Sequence, residues 1–244
     1  MPTQSSPRDR HAVHVWHAHI EDMYAGGAEA VRRALNILQP VERTRYDRFR
    51  RDADRHMFLL GRVMARAVVG DALGVAADAW PWREGLRGRP EIDIANCAVS
   101  FNLAHSAGVV VCGVSWVGRV GVDVEDRQRH PIERDLVARC CAEDEAADVA
   151  SYGDDWRDRF LQYWTLKEAY LKAVGLGISV HLPDVRFSPA DGLAPAFQGS
   201  MAGADTGWTF TLLTLDAGHY VAVAAEAAPP PAVHLTPFPA AWLP

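Results

Sequence analysis

Val120-Gly-Val-Asp-Val-Glu-Asp126 and, further on, Trp164-Thr-Leu-Lys-Glu-Ala-Tyr-Leu-Lys172 are the two stretches that decide the fold. In the first, Val120, Val122 and Val124 alternate with Gly121, Asp123 and Glu125, the period-two pattern of a half-buried strand. Asp123 and Glu125 therefore point to one face of a sheet. The second stretch is helical. Tyr163, Leu166, Tyr170 and Val174 fall on one side as a core stripe, while Glu168 and Lys172 are i, i+4 neighbours on the other. A valine strand and an anchored helix, each presenting carboxylates, predict a mixed α+β protein with a charged site.

Lysine is scarce: Lys167 and Lys172 are its only occurrences among 25 Lys and Arg residues. Lysine is a compact point charge on a flexible stem and arginine a wide planar fork, so an ammonium kept at these two places suggests a use for one. Asp123 and Glu125 repel each other unless a cation lies between them. Hard carboxylate oxygens with no Cys or His nearby suit magnesium held against a substrate phosphate. The ordinary readings are an exposed Glu–Lys pair and acidic residues on an edge strand.

Composition narrows the class. With 49% apolar and 23% charged residues over 244 positions, the chain has the make-up of a globular protein with one large core or two small ones. Its net charge of −6 argues against nucleic acid as a partner. The arginines cluster at residues 43–66, which suits a phosphate-rich small molecule or an acidic partner. Cys97, Cys112, Cys140 and Cys141 lack metal-type spacing and read as free thiols of a reducing compartment. No signal peptide or membrane-spanning run is evident, so the expected location is cytoplasmic, with no membrane partner.

Along the chain, residues 1–11 are polar and expected to be disordered. Residues 14–20 read as a strand. His11, His14, His17 and His19 interrupt it at irregular spacing without a fourth ligand type, and the sequence makes no metal site of them. A helix over 41–73 is expected to break at 51–53, residues 78–90 read as loop, and 99–101 and 109–116 pair as strands around a turn. A strand at 120–125, helices over 133–150 and 156–174, and strands near 184–188, 208–215 and 220–226 follow. The proline-rich tail from 229 reads as extended and outside any sheet.

The motifs resemble a known family. Gly121-Val-Asp-Val-Glu125 followed by Trp164-Thr-Leu-Lys-Glu-Ala169 is similar to the signature of the 4′-phosphopantetheinyl transferases, most of all the surfactin-synthetase-activating type, a single chain of two similar halves. Phe101-Asn-Leu-Ala-His-Ser106, Gly88-Arg-Pro90, Arg45-Tyr-Asp-Arg-Phe49, Asp54-Arg-His56 and Gly61-Arg-Val-Met-Ala-Arg66 resemble further blocks, in the family's order. The resemblance implies an α+β, two-half pseudo-dimer, each half a long helix packed on a small, mainly antiparallel sheet. Residues 1–117 would serve the 3′-phosphate and adenine of coenzyme A, 118–228 the magnesium and the chemistry, with 229–244 as tail.

By the same resemblance the chain moves the phosphopantetheine arm of coenzyme A to a serine of an apo acyl or peptidyl carrier protein. Asp123, Glu125 and Glu168 would hold magnesium. Lys172 would reach the phosphates, and Glu168 would be the general base, directly or through water. Lys167 would support the site. Arg45 and His105 would hold the 3′-phosphate, with Arg43 beside them. Arg89 and Pro90 would stand where the family has Gly-Lys-Pro. Ala104 replaces a usual serine and implies one hydrogen bond fewer to a phosphate. A monomer would suffice, with the linker near 116–119. Two other classes remain open: a catalytically silent binder of coenzyme A or carrier, and a magnesium-dependent phosphohydrolase, for which the sequence offers no nucleophile motif.

Overall fold

A computed structural model describes residues 9–85, 89–128, 132–177, 180–187, 207–216 and 218–243. The first half opens with strand β1 (Val13–His19), continues through helices α1 (Ile20–Tyr24), α2 (Gly27–Ile37), α3 (Pro40–Arg48) and α4 (Asp52–Leu73), and then forms strands β2 (Trp82–Glu84), β3 (Pro90–Ile92), β4 (Ser100–Ser106) and β5 (Val109–Ser115). The second half holds β6 (Val120–Asp126), α5 (Arg134–Cys140), α6 (Glu143–Ser151), α7 (Trp156–Val174), β7 (Trp208–Leu215) and β8 (His219–Glu226); β9 (Val233–Pro237) closes the chain. One sheet runs β4-β5-β1-β9 and the other β6-β8-β7, with β2 and β3 as a separate hairpin. All pairings are antiparallel except that of β9 with β1.

Local chemistry sets the long helices. Pro40 opens α3 at a position where its missing N–H costs nothing, and Glu42 reaches back to the Gln39 N–H at 2.9 Å. Asp52 and Asp54 occupy the first turn of α4, where carboxylates favour the helix dipole. Gly74 and Gly175 end α4 and α7 in the left-handed conformation, φ 73° and 76°, that glycine adopts without a Cβ clash.

Burial resolves into three layers. Helix α4 packs on the face of the first sheet that carries Trp16, Ala18, Val110, Cys112 and Val114. The opposite face, with Val13, Val15, Val109 and Val111, meets Val120, Val122, Val124, Val221 and Val223 of the second sheet. The outer face of the second sheet, with Tyr220, Ala222 and Ala224, packs on α7. Each half is thus a long helix on a small, mainly antiparallel sheet, as expected, and the sheets stack on each other.

Side chains join the two sheets along β4 and β6. The Val120, Val122 and Asp126 N–H groups donate to Ser100 Oγ, Asn102 Oδ1 and Ser106 Oγ at 3.1, 3.0 and 3.3 Å. Alternate β4 side chains so stand in for a main-chain ladder. Ala104 occupies the intervening place in this series and has no hydroxyl to add. At Gly121, a Cβ would lie 2.0 Å from the Ala169 carbonyl oxygen and 2.5 Å from the Ala173 nitrogen of α7. Only glycine lets α7 approach β6 this closely.

Several expectations need correction. The long first-half helix breaks at residues 49–51, close to the expected place, and α1 and α2 precede it where no helix is expected. Residues 78–90 are not all loop, because Trp82–Glu84 pairs with Pro90–Ile92. The helix expected over 133–150 is interrupted at Cys141–Ala142. No strand occupies 184–187: Leu182–Asp184 is a turn of 3₁₀ helix, and the Phe187 N–H donates to the Glu145 carboxylate at 2.7 Å, not to a neighbouring strand. Buried Val185 and Phe187 flanking exposed Arg186 imitate a strand's alternation. The tail is extended but is part of a sheet. Val233–Pro237 runs parallel to β1 at its edge, where Pro237 is tolerated as the last paired residue. The expected disorder of residues 1–8, Gly88 of the Gly-Arg-Pro block, Ser188 and Pro244 lie outside the described residues.

Gly121→Ala tests the close approach of α7. The added Cβ meets backbone, so overpacking should cost about 1–3 kcal/mol or more and lower the melting temperature by several degrees. An unchanged melting curve would show that α7 does not lie where described.

Candidate active site

Strand β6 and helix α7 bring Asp123, Glu125, Glu168 and Lys172 together. Asp123 and Glu125 stand on the α7-facing side of the second sheet, as their alternation predicts, and the three carboxylates are 5, 8 and 8% exposed. Lys172 Nζ donates to Asp123 Oδ1 at 2.6 Å, so the ammonium pairs with the strand carboxylate and not with its helix neighbour Glu168. Glu125 is fixed from two sides: Trp164 Nε1 donates to Oε1 at 2.7 Å and Ser106 Oγ to Oε2 at 3.3 Å. Both donors belong to motifs quoted from the sequence, yet neither had an assigned role. Their spacing alone could not show that each reaches the same carboxylate.

The electrostatics are unbalanced. Burial pushes Asp123 up to about 7 against the pull of Lys172, and the charges of Glu125 and Glu168 add to the rise. Burial likewise raises Glu168, with Lys172 opposing and Glu125 adding. Asp123 Oδ2 and Glu168 Oε1 are buried with no hydrogen-bond partner among the described residues. Unpartnered oxygens on crowded carboxylates are costly, and a hard divalent cation is the species that would satisfy them. The donor chemistry therefore fits magnesium. The three carboxylates are not drawn into a tight cage, however. Among the described residues the one group of three such side chains with ligand atoms within 4.8 Å of one another is His17, His19 and Asp216.

The two lysines have different tasks. Lys167 is 1% exposed, and its Nζ donates to Glu145 Oε2 at 2.5 Å, to the Cys140 carbonyl at 2.8 Å and to the Leu182 carbonyl at 3.1 Å. All three protons are used inside the second half. Lys167, implied by the resemblance to support the site and to bind the cofactor, is not brought to the carboxylate set; it ties α7 to α5 and α6. The roughly 100° turn between adjacent helix residues carries it off the face that holds Glu168.

The arginine-rich segment is divided as well. Arg62 and Arg66 pair with buried Glu42, each at 3.2 Å, and stack on Trp82 and Trp80 at 4.2 and 4.9 Å. Arg45 pairs with Glu84 at 3.0 Å and remains half exposed. It lines a cavity of about 300 Å³ together with His105, Pro90, Ala104 and Phe58. The ring of His105 reaches solvent, yet the protein around it still disfavours its charged form, and Lys172 adds to that effect. Arg43 is not brought to this cavity; it turns toward α2 and donates to the Leu35 carbonyl at 3.1 Å. Arg89 crosses between the halves, donating to the main-chain carbonyls of Lys172 and, at 3.4 Å, Phe101. It lines a cleft of about 580 Å³ with Pro90, Phe101, Arg119, Ala173 and Gly175, residues drawn from both halves. Pro90 borders both cavities.

The fold thus sets a buried acidic group beside the Lys172 ammonium, with arginine-bearing cavities next to it. Comparison with known proteins gives the class. Residues 119–225 match the 4′-phosphopantetheinyl transferase superfamily, and residues 26–116 match the 4′-phosphopantetheinyl transferase N-terminal family. A phosphopantetheinyl transferase of a Thraustochytrium species is 33% identical over 231 residues, covering 88% of this chain and 79% of that protein. The 4′-phosphopantetheinyl transferase HetI of a Nostoc species is 32% identical over 58% of this chain and 61% of its own length. The human L-aminoadipate-semialdehyde dehydrogenase-phosphopantetheinyl transferase is 26% identical over 78% of this chain and 68% of its own. The chain belongs to the 4′-phosphopantetheinyl transferase family and is an enzyme that transfers phosphopantetheine to carrier proteins.

The division of labour between the lysines is testable. Lys167→Met leaves Glu145 charged and buried without its partner, which should cost about 3–5 kcal/mol of stability. Lys172→Ala should cost less, because Asp123, already pushed up to about 7, can take a proton once its partner is gone, while transfer falls further than in Lys167→Met. The reverse pattern, measured by thermal unfolding and transfer rate, would overturn the assignment.

Proposed function

We propose that this chain is a magnesium-dependent transferase of the surfactin-synthetase-activating type. It would move 4′-phosphopantetheine from coenzyme A to a carrier serine and release 3′,5′-ADP. The observation that carries this reading is the meeting of Asp123, Glu125 and Glu168 around Lys172, with two carboxylate oxygens left unpartnered. The carrier serine oxygen attacks the phosphorus that bears the pantetheine arm, the bond to the bridging pyrophosphate oxygen breaks, and 3′,5′-ADP departs with the electron pair. Magnesium, when bound, would neutralise charge on the pyrophosphate oxygens.

The chain's own residues supply the rest. Asp123, Glu125 and Glu168 would hold the ion, with Trp164 and Ser106 fixing the Glu125 carboxylate in place. Lys172, released from Asp123, would follow the phosphates as a point charge. Glu168 takes the serine proton directly or through a water; its raised affinity for protons suits a base more than that of an exposed glutamate. Arg45 and His105 bind the 3′-phosphate at the far cavity. Arg89 holds the seam between the halves and lines the cleft beside the adenine.

Residues 1–117 and 118–228 form the two halves, and the coenzyme lies between them, a common location for ligand pockets. A monomer is then sufficient, and the targets are carrier domains of polyketide or nonribosomal peptide synthases. The proposed location is cytoplasmic. No helix among the described residues is long and apolar enough to cross a membrane.

Mass spectrometry of an apo carrier incubated with the protein, coenzyme A and magnesium tests the reading. The carrier should gain one phosphopantetheine. Asp123→Ala, or excess EDTA with the wild type, should abolish the gain, whereas full modification under either condition would sink the metal assignment.

A further inference from the structure

The strand histidines that the sequence alone did not join become a cluster in the fold. On β1, Val13 and Val15 face the layer between the sheets, whereas Trp16 and Ala18 face α4. His17 and His19 share the parity of Val13 and Val15 and so turn to the inter-sheet side. His14 lies on the opposite side, stacked against Trp16 at 5.8 Å, and His11 precedes the strand. The four histidines therefore separate, and only His17 and His19 act together.

Their third companion comes from the other half. Asp216 follows the last residue of β7, and His19 Nε2 lies 3.2 Å from its Oδ2. One ligand atom from each of His17, His19 and Asp216 lies within 4.8 Å of the other two. His17 Nδ1 is buried without a hydrogen-bond partner among the described residues, and so is Nε2 of His219, which opens β8 beside them. The apolar layer between the sheets thus ends in a polar group whose nitrogen atoms are not all satisfied.

We propose that His17, His19 and Asp216 form a binding site for a zinc-class divalent cation that ties β1 of the first half to the β7–β8 hairpin of the second. Two imidazoles and one carboxylate are ligands of the borderline class that favours zinc over magnesium. Three protein ligands leave a fourth position for water, with His219 next to it. The site uses none of the proposed transfer residues. Because its ligands span the halves, occupancy stabilises their docking in proportion to the logarithm of free metal.

Cobalt(II) serves as an optical probe of zinc sites, and zinc competes with it. With excess magnesium present to occupy the carboxylate set, the wild type should bind one equivalent of cobalt with visible ligand-field absorption that zinc abolishes. Zinc should also raise the melting temperature. His19→Ala, and separately Asp216→Asn, should weaken binding at least about tenfold and remove the zinc-induced rise. Asn accepts the left-handed backbone of residue 216, φ 50°, so the second variant keeps the turn. Absence of saturable cobalt binding in the wild type, or binding retained in both variants, would overturn the proposal.

Discussion

Helix α7 can lie against strand β6 only because Gly121 has no side chain, and the site depends on that contact. With the Ala169 carbonyl and the Ala173 nitrogen pressed toward the strand, Glu168 and Lys172 arrive opposite Asp123 and Glu125 without further adjustment. A larger residue at 121 would move the helix as a unit, and the carboxylates would part. The glycine of Gly-Val-Asp-Val-Glu is in this sense as much a part of the site as the acids that follow it. The β4 side chains complete the constraint by holding β6 from its other edge, so that the strand is fixed on both sides before any ligand enters.

Within that frame the two lysines divide structure from chemistry. Lys167 has three acceptors and almost no exposure, which makes its charge a fixed internal tie. Lys172 has one carboxylate partner and is 30% exposed, so its ammonium can leave Asp123 when a stronger cation takes that carboxylate. The buried acidic set tolerates its own repulsion because Lys172 offsets it. In the proposed transfer, that arrangement would leave the ammonium free to move to a phosphate.

Much of this was legible in the sequence. Valine alternation placed Asp123 and Glu125 on one face, helical spacing placed Glu168 and Lys172 together, and the order of motifs gave the family. What could not be read was which long-range partner each charge takes. Lys167 and Lys172 look alike in sequence, and only the positions of Glu145 and Asp123 in space separate them. Arg62 and Arg66 belong to a basic stretch that suits a phosphate-rich molecule or an acidic partner, yet both are spent on buried Glu42. Val185 and Phe187 alternate like a strand because both enter a core, although the backbone there bonds to a carboxylate. Prolines concealed β9, whose five residues need only an exposed edge of β1. His17 and His19 lacked a third ligand until the fold delivered Asp216 from the opposite half.

The scarcity of lysine makes the central claim directly measurable. A sample labelled with ¹⁵N only in lysine should give two side-chain ammonium environments by NMR at low temperature and mildly acidic pH. Addition of magnesium and coenzyme A should shift the Lys172 signal, assigned by its loss in Lys172→Ala, as the ammonium leaves Asp123 for phosphate. The Lys167 signal should stay in place. A Lys172 signal indifferent to both ligands, or movement confined to Lys167, would contradict the account.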